Sequence, residues 1–142
     1  MRYLRGKIKD RRMRIPIGIG AFDPASPFNS NFEQFTALID TGAVRTCITQ
    51  NVVNRLKLRR RGRIPIRNVS GEALHWTYLF QVAIWPEADS DSPSAPFGIS
   101  DPVEGADLGA NHLFDVLLGM DVLERGAMQM HSNGNFELSF SG

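Results

Sequence analysis

Asp40 stands at the mouth of a nearly all-apolar run, Phe35-Thr36-Ala37-Leu38-Ile39, and is followed by Thr41 and Gly42. Burying a lone carboxylate is costly, so a carboxylate in that place calls for a reason. Thr41 offers a hydroxyl beside it, and Gly42 permits a tight backbone approach. The bland reading is a plain Asp-Thr-Gly turn after a strand. The chemical reading is acid–base work, in which a carboxylate takes a proton from water or gives one to a carbonyl oxygen.

Other chemistries find little support. His75, His112, His131 and the single Cys47 lie far apart, without the short ligand spacings of a zinc site. Each reads as an ordinary surface or strand residue, and neither a metal nor a cofactor is expected. There is no Gly-rich phosphate loop and no G-x-S-x-G elbow. Cys47 would need a histidine brought close to act as a nucleophile, and reads better as a small buried residue in the turn before a helix. One cysteine makes no internal disulfide, which suits a reducing compartment. The basic N-terminus lacks the apolar core of a secretory signal, and no apolar run of about eighteen residues could span a membrane. Cytoplasm is the expected location.

The chain of 142 residues is 42 % apolar and 22 % charged, the balance of one ordinary folded domain. Its net charge of +1 hides a division: residues 1–67 hold fifteen of the sixteen Lys and Arg but four of the fifteen Asp and Glu. The basic share sits in two runs, Arg2 to Arg14 and Arg55 to Arg67. Such runs are usually solvated faces, though they can also attract nucleic acid or an acidic partner.

Residues 1–14 read as a flexible basic arm, ahead of a domain over residues 15–142. Ile15, Ile17 and Ile19 alternate in the period of a strand, which Pro16 and two glycines push towards a sheet edge or bend. The run Phe35 to Ile39 is a second strand. A helix is expected from Gln50 to Leu58, capped by Thr49, with Val52 and Leu56 on one face. Ile64–Val69 and Ala73–Trp85 form a long hairpin joined at Ser70-Gly71-Glu72. Residues 86–112, rich in Pro, Ser, Asp, Glu and Gly, read as a long loop. Leu113 to Gly119 is another buried strand, and Met120 to Arg125 a helical turn closed by Gly126. A final hairpin, Ala127–His131 and Asn135–Phe140, turns at Asn133-Gly134. The fold class is mostly β, a closed or sandwiched sheet with one main helix.

Phe35 to Ala43 resembles the catalytic strand and loop of retropepsin-like aspartic proteases. Phe114-Asp115-Val116-Leu117-Leu118-Gly119-Met120-Asp121-Val122-Leu123 is similar to their second signature, an apolar pair and a glycine before a short helix. The order of elements over residues 14–140 is more specific than either motif alone. The resemblance implies a closed acid-protease β-barrel with a flap at the Gly71 hairpin. It implies an aspartic endopeptidase in which Asp40, Thr41 and Gly42 are catalytic. Ala43, Ser70, Gly71, Glu72 and Leu118 would then contact substrate. Three features depart from the compact retroviral pattern: the long 86–112 loop, a flap tip with one glycine, and the long basic arm.

That chemistry needs two carboxylates about 3 Å apart sharing one proton. No second Asp-Thr-Gly lies in residues 43–142. The resemblance therefore implies a homodimer with one Asp40 from each subunit, acting on a peptide or protein. In that picture the Thr41 hydroxyl reaches across the axis to lock the two loops. Two rivals stand beside this reading. One is a catalytically silent dimeric module of the same fold, binding nucleic acid or an acidic partner through its basic half. The other is an unrelated β-barrel binding domain.

Overall fold

The computed structural model describes residues 2–25, 31–87, 95–99, 102–110 and 113–141. His112 and parts of the expected 86–112 loop lie outside the described residues.

Among these residues eleven strands form one sheet, with two short helices packed on it. They are β1 (Arg2–Lys9), β2 (Arg12–Ala21), β3 (Glu33–Ile39), β4 (Cys47–Ile48), β5 (Gly62–Asn68) and β6 (Gly71–Ile84). β7 (Phe97–Gly98), β8 (Val103–Asp107), β9 (Val116–Leu118), β10 (Gly126–Met130) and β11 (Asn135–Phe140) complete the set. The helices are α1 (Gln50–Leu56) and α2 (Met120–Leu123). The strand order is β10-β11-β1-β2-β3-β9-β4-β8-β6-β5, with β7 beside β6 and a further pairing of β6 with β2. Among the described residues no helix is long and apolar enough to cross a membrane.

The alternation read at β2 holds: Ile15, Ile17 and Ile19 are all buried in the core. Pro16 does not mark a sheet edge, because β2 lies inside the sheet. Its partner on one side is Thr36 of β3. On its other side, β1 pairs with residues 12–13 and β6 with residues 18–21, so the missing N–H falls between two ladders.

The expected arm is a correction. Residues 2–9 form β1, which runs antiparallel to β11 from Arg2↔Phe140 to Lys7↔Asn135 and then passes to β2 at Ile8↔Met13. Leu4 is buried and Ile8 packs against the core, so the apolar minority of a charged segment holds it down. Asp10 and Arg11, at φ 53° and 61°, make the tight two-residue turn.

The structureless 86–112 loop is a second correction, because it contains β8. Val103 and Ala106 of β8 are buried, and the strand pairs with both β6 and β4. Gly126 begins β10 rather than capping α2. Thr49 is the N-cap of α1, yet its side chain donates elsewhere, to the Asp115 carbonyl at 2.9 Å. The long hairpin of β5 and β6 matches expectation closely, with Asn68↔Gly71 as its last pair and Gly71 at φ +131°.

Candidate active site

β3 runs parallel to β9, pairing Ala37 with Val116 and Ile39 with Leu118. Flanked by other strands within the sheet, the two strands place the residue after Ile39 at a fixed height. That residue is Asp40, whose N–H donates to the Leu118 carbonyl at 3.0 Å. The chain then turns sharply: the Ala43 N–H donates to the Asp40 carbonyl at 3.2 Å, and the Gly42 N–H to Asp40 Oδ1 at 2.9 Å. Asp40 is half-buried, whereas Thr41 and Gly42 are exposed. One carboxylate oxygen is therefore held by backbone while the group keeps a face towards solvent.

The loop is clamped from the far side by the start of α2. Met120 N–H donates to the Ala43 carbonyl at 2.8 Å and Asp121 N–H to the Val44 carbonyl at 3.2 Å. Gly119 is required by contact rather than by φ. A Cβ there would lie 2.7 Å from the Arg45 carbonyl carbon, 2.8 Å from its oxygen and 2.9 Å from the Ala43 oxygen.

Thr46 ties the two segments together. Its buried hydroxyl donates to Asp121 Oδ1 at 2.6 Å and accepts the Gly119 N–H at 3.0 Å. Its N–H donates to both Asp121 carboxylate oxygens at 3.0 Å. Asp115 does the same work at the other end of β9. Its Oδ2 accepts the Thr36 N–H at 3.0 Å and its Oδ1 the Asn51 amide at 2.9 Å. Sequence reading missed Thr46, Asp115 and Asp121 as positioning residues. The signal available was a carboxylate on each flank of the Leu117-Leu118-Gly119 run.

Of the expected site residues, the structure brings Asp40, Thr41, Gly42, Ala43 and Leu118 together. Leu118 is a correction, for its side chain is wholly buried and what it offers the site is its carbonyl. Ser70, Gly71 and Glu72 stand on a different segment, at the exposed tip of the β5–β6 hairpin. Glu72 pairs with Arg67 across the hairpin at 3.4 Å, and His75 Nδ1 lies 2.6 Å from the Asp107 carbonyl nearer its base. Cys47 is buried, and burial pushes its thiol up to about 11 from 9.0, so it stays protonated at neutral pH. Among the described residues no group of three or more His, Cys, Asp or Glu could hold a metal ion.

A retropepsin-like aspartic protease from Rickettsia conorii, known from a crystal structure, matches this chain with a TM-score of 0.61 at 18 % identity. The match covers 97 % of this chain and 91 % of that one. The solution structure of the Simian Foamy Virus (mac) protease matches with a TM-score of 0.41 at 15 % identity, over 78 % of this chain and 92 % of that one. No protein-family model and no curated protein matches the sequence. The first of the two structures shows the fold to be retropepsin-like.

Proposed function

From a retropepsin-like fold with one half-buried aspartate at the end of β3, we propose that this chain is an aspartic endopeptidase working as a homodimer. The observation that supports this reading is the hold on Asp40: Gly42 N–H on one carboxylate oxygen at 2.9 Å, in a loop clamped to β9 and α2. The same i to i+2 bond occurs at Asp23, Asp107 and Asn133, so what sets Asp40 apart is the clamp of its loop to β9 and α2.

Each subunit would supply one carboxylate, and two like charges about 3 Å apart cannot both ionise. The pair keeps one proton. The ionised carboxylate draws a proton from water, and the resulting nucleophile attacks the scissile carbonyl carbon. The protonated carboxylate donates to the carbonyl oxygen as the tetrahedral intermediate forms. A proton returned to the leaving nitrogen completes cleavage. Thr41, exposed beside Asp40, is the group available to lock one loop to its partner, and the Gly71 hairpin would fold over the peptide.

The test mixes wild-type and Asp40→Asn chains, unfolds them together and refolds them at random. Asn is nearly isosteric with Asp, so the variant should fold and pair, yet a dimer with one carboxylate cannot be base and acid at once. Peptide cleavage at constant total protein should follow the square of the wild-type fraction, so an equal mixture keeps about a quarter of full activity. A straight line would mean that each chain works alone. Full activity of pure Asp40→Asn would remove Asp40 from the chemistry, and no cleavage by the wild-type chain would favour the silent binding module instead.

A further inference from the structure

The two basic runs of the sequence meet different fates. The second is largely partnered: Arg55 pairs with Glu33, Arg61 with Glu104 and Arg67 with Glu72. Arg60 and Arg63 lie over the Trp76 ring, 4.4 and 5.0 Å from its centre. The first run differs beyond Arg5, which pairs with Glu87 and Glu137. Lys7, Lys9, Arg12 and Arg14 line a groove of about 410 Å³ between them, with no other of the described residues in its wall. Among the described residues none of the four is in an ion pair.

The pleat explains this convergence. Residues two apart on a strand share a face, so Lys7 and Lys9 of β1 point one way while Ile8, between them, packs against the core. On β2, Arg12 and Arg14 share a face and Met13 packs against the core. Lys9 pairs directly with Arg12 across the hairpin. Like charges opposite each other in a ladder are destabilising. A chain that sets two such rows side by side carries a cost that an anion between them would relieve.

The groove also has a defined relation to the candidate active site. Arg14 pairs with Leu38 on antiparallel β3. Two residues further along β3 stands Asp40, and two residues back along β2 stands Arg12, so the groove opens at the end of the sheet that carries Asp40.

We propose that Lys7, Lys9, Arg12 and Arg14 form a docking groove for an extended acidic segment of the peptide substrate, alongside the bond to be cut. The proposal rests on the protease reading of Asp40. An extended peptide repeats its side chains on one face every two residues, roughly 6.6 Å, the same repeat as the cations on β1 and β2. Acidic residues two apart would therefore meet first the Lys9 and Arg12 pair and then Lys7 and Arg14, which the register sets level with each other. Single-stranded nucleic acid is the weaker fit, since its binding relies on aromatic stacking and none of the described aromatic residues lines the groove.

The experiment separates docking from cleavage. Binding of a fluorescein-labelled peptide of alternating glutamate and valine is measured by anisotropy on the Asp40→Asn chain, at about 50 and 500 mM salt. Affinity should fall steeply at the higher salt, and Lys9→Gln with Arg12→Gln should weaken it about tenfold. Lys57→Gln with Arg59→Gln, in the second basic run, should leave it unchanged. If the first pair fails to fold by circular dichroism, Lys7→Gln with Arg14→Gln takes its place. On the wild-type background, an acidic extension on a cleaved peptide should lower KM about tenfold with kcat unchanged, and the Gln pair should abolish that gain.

Equal peptide affinity in the Gln pair, or tighter binding of a single-stranded or duplex oligonucleotide of equal charge, overturns the proposal. Cleavage of neutral peptides without binding of the acidic one overturns the docking groove and leaves the protease reading intact. Binding of the acidic peptide together with no peptide cleavage by the wild-type chain overturns the protease reading, and with it the groove's role in substrate docking.

Discussion

Gly119→Ala adds one methyl group at the tightest point of the candidate site. That carbon would lie 2.7, 2.8 and 2.9 Å from three backbone atoms of Arg45 and Ala43. None of these is the end of a flexible side chain, so relief must come from moving the Asp40 loop away from α2. Overpacking of this kind costs about 1–3 kcal/mol. The shift also stretches the Met120 N–H bond to the Ala43 carbonyl, now 2.8 Å, at a cost of about 1 kcal/mol. Against this, Ala restricts the unfolded chain and returns about 0.4–1 kcal/mol. The net loss is about 1–3.5 kcal/mol, which for a chain of this size lowers Tm by roughly 4–14 °C. Gly98→Ala is the control, because a Cβ there meets nothing within 4 Å. Thermal unfolding followed by circular dichroism reads both variants, and peptide turnover per folded chain should fall at least about tenfold for Gly119→Ala alone. A Gly119→Ala melting point within about 2 °C of wild type would refute the clamp described for this loop.

Thr46→Val removes the hydroxyl that bridges Asp121 and the Gly119 N–H, leaving both without that partner, and should cost about 2–3 kcal/mol in denaturant unfolding with an unchanged m-value. Gly71→Val strains a backbone at φ +131°, a local cost of about 1–3 kcal/mol, and should cut peptide turnover while the dimer, read by ultracentrifugation, stays intact. Cys47, its thiol pushed up to about 11, should react with a disulfide reagent at pH 8 roughly a hundredfold more slowly than after denaturation, on ionisation alone. Raising the pH towards 11 should narrow that gap, and fast labelling of the folded protein at pH 8 would contradict the burial described for it.

Local chemistry made the centre of the molecule legible. The apolar run ending at Ile39 and the run ending at Leu118 could only be buried strands. Asn133-Gly134 and Gly71 marked their hairpins because a positive φ has few other solutions. What escaped was everything decided by a distant partner. Half of residues 2–9 are charged and the segment read as solvated, yet Leu4 finds its place beside Leu138 of β11. Val103 to Asp107 is short and sits among turn formers, so its strand exists because β6 and β4 flank it. Thr49 had the right type and place for a helix cap, but the Asp115 carbonyl competed successfully for its hydroxyl. In the candidate site, Asp40-Thr41-Gly42 could be picked out by type. The roles of Thr46 and Asp121 could not, because their meeting depends on two segments folding against each other.

The pairing of β1 with β11 bears on the order in which this chain can fold. Arg2 and Phe140 face each other from almost opposite ends of the sequence. The β1–β2 and β10–β11 hairpins close over two- to four-residue turns and can form within microseconds. Joining them requires closing nearly the whole chain into one loop, and contacts of such high separation slow folding. Until that step, β11 presents an unpaired edge whose alternate residues Phe136, Leu138 and Phe140 are apolar, a template for pairing with another chain. The molecule's exposure to aggregation is thus concentrated late in folding, in the interval before its first strand reaches its last.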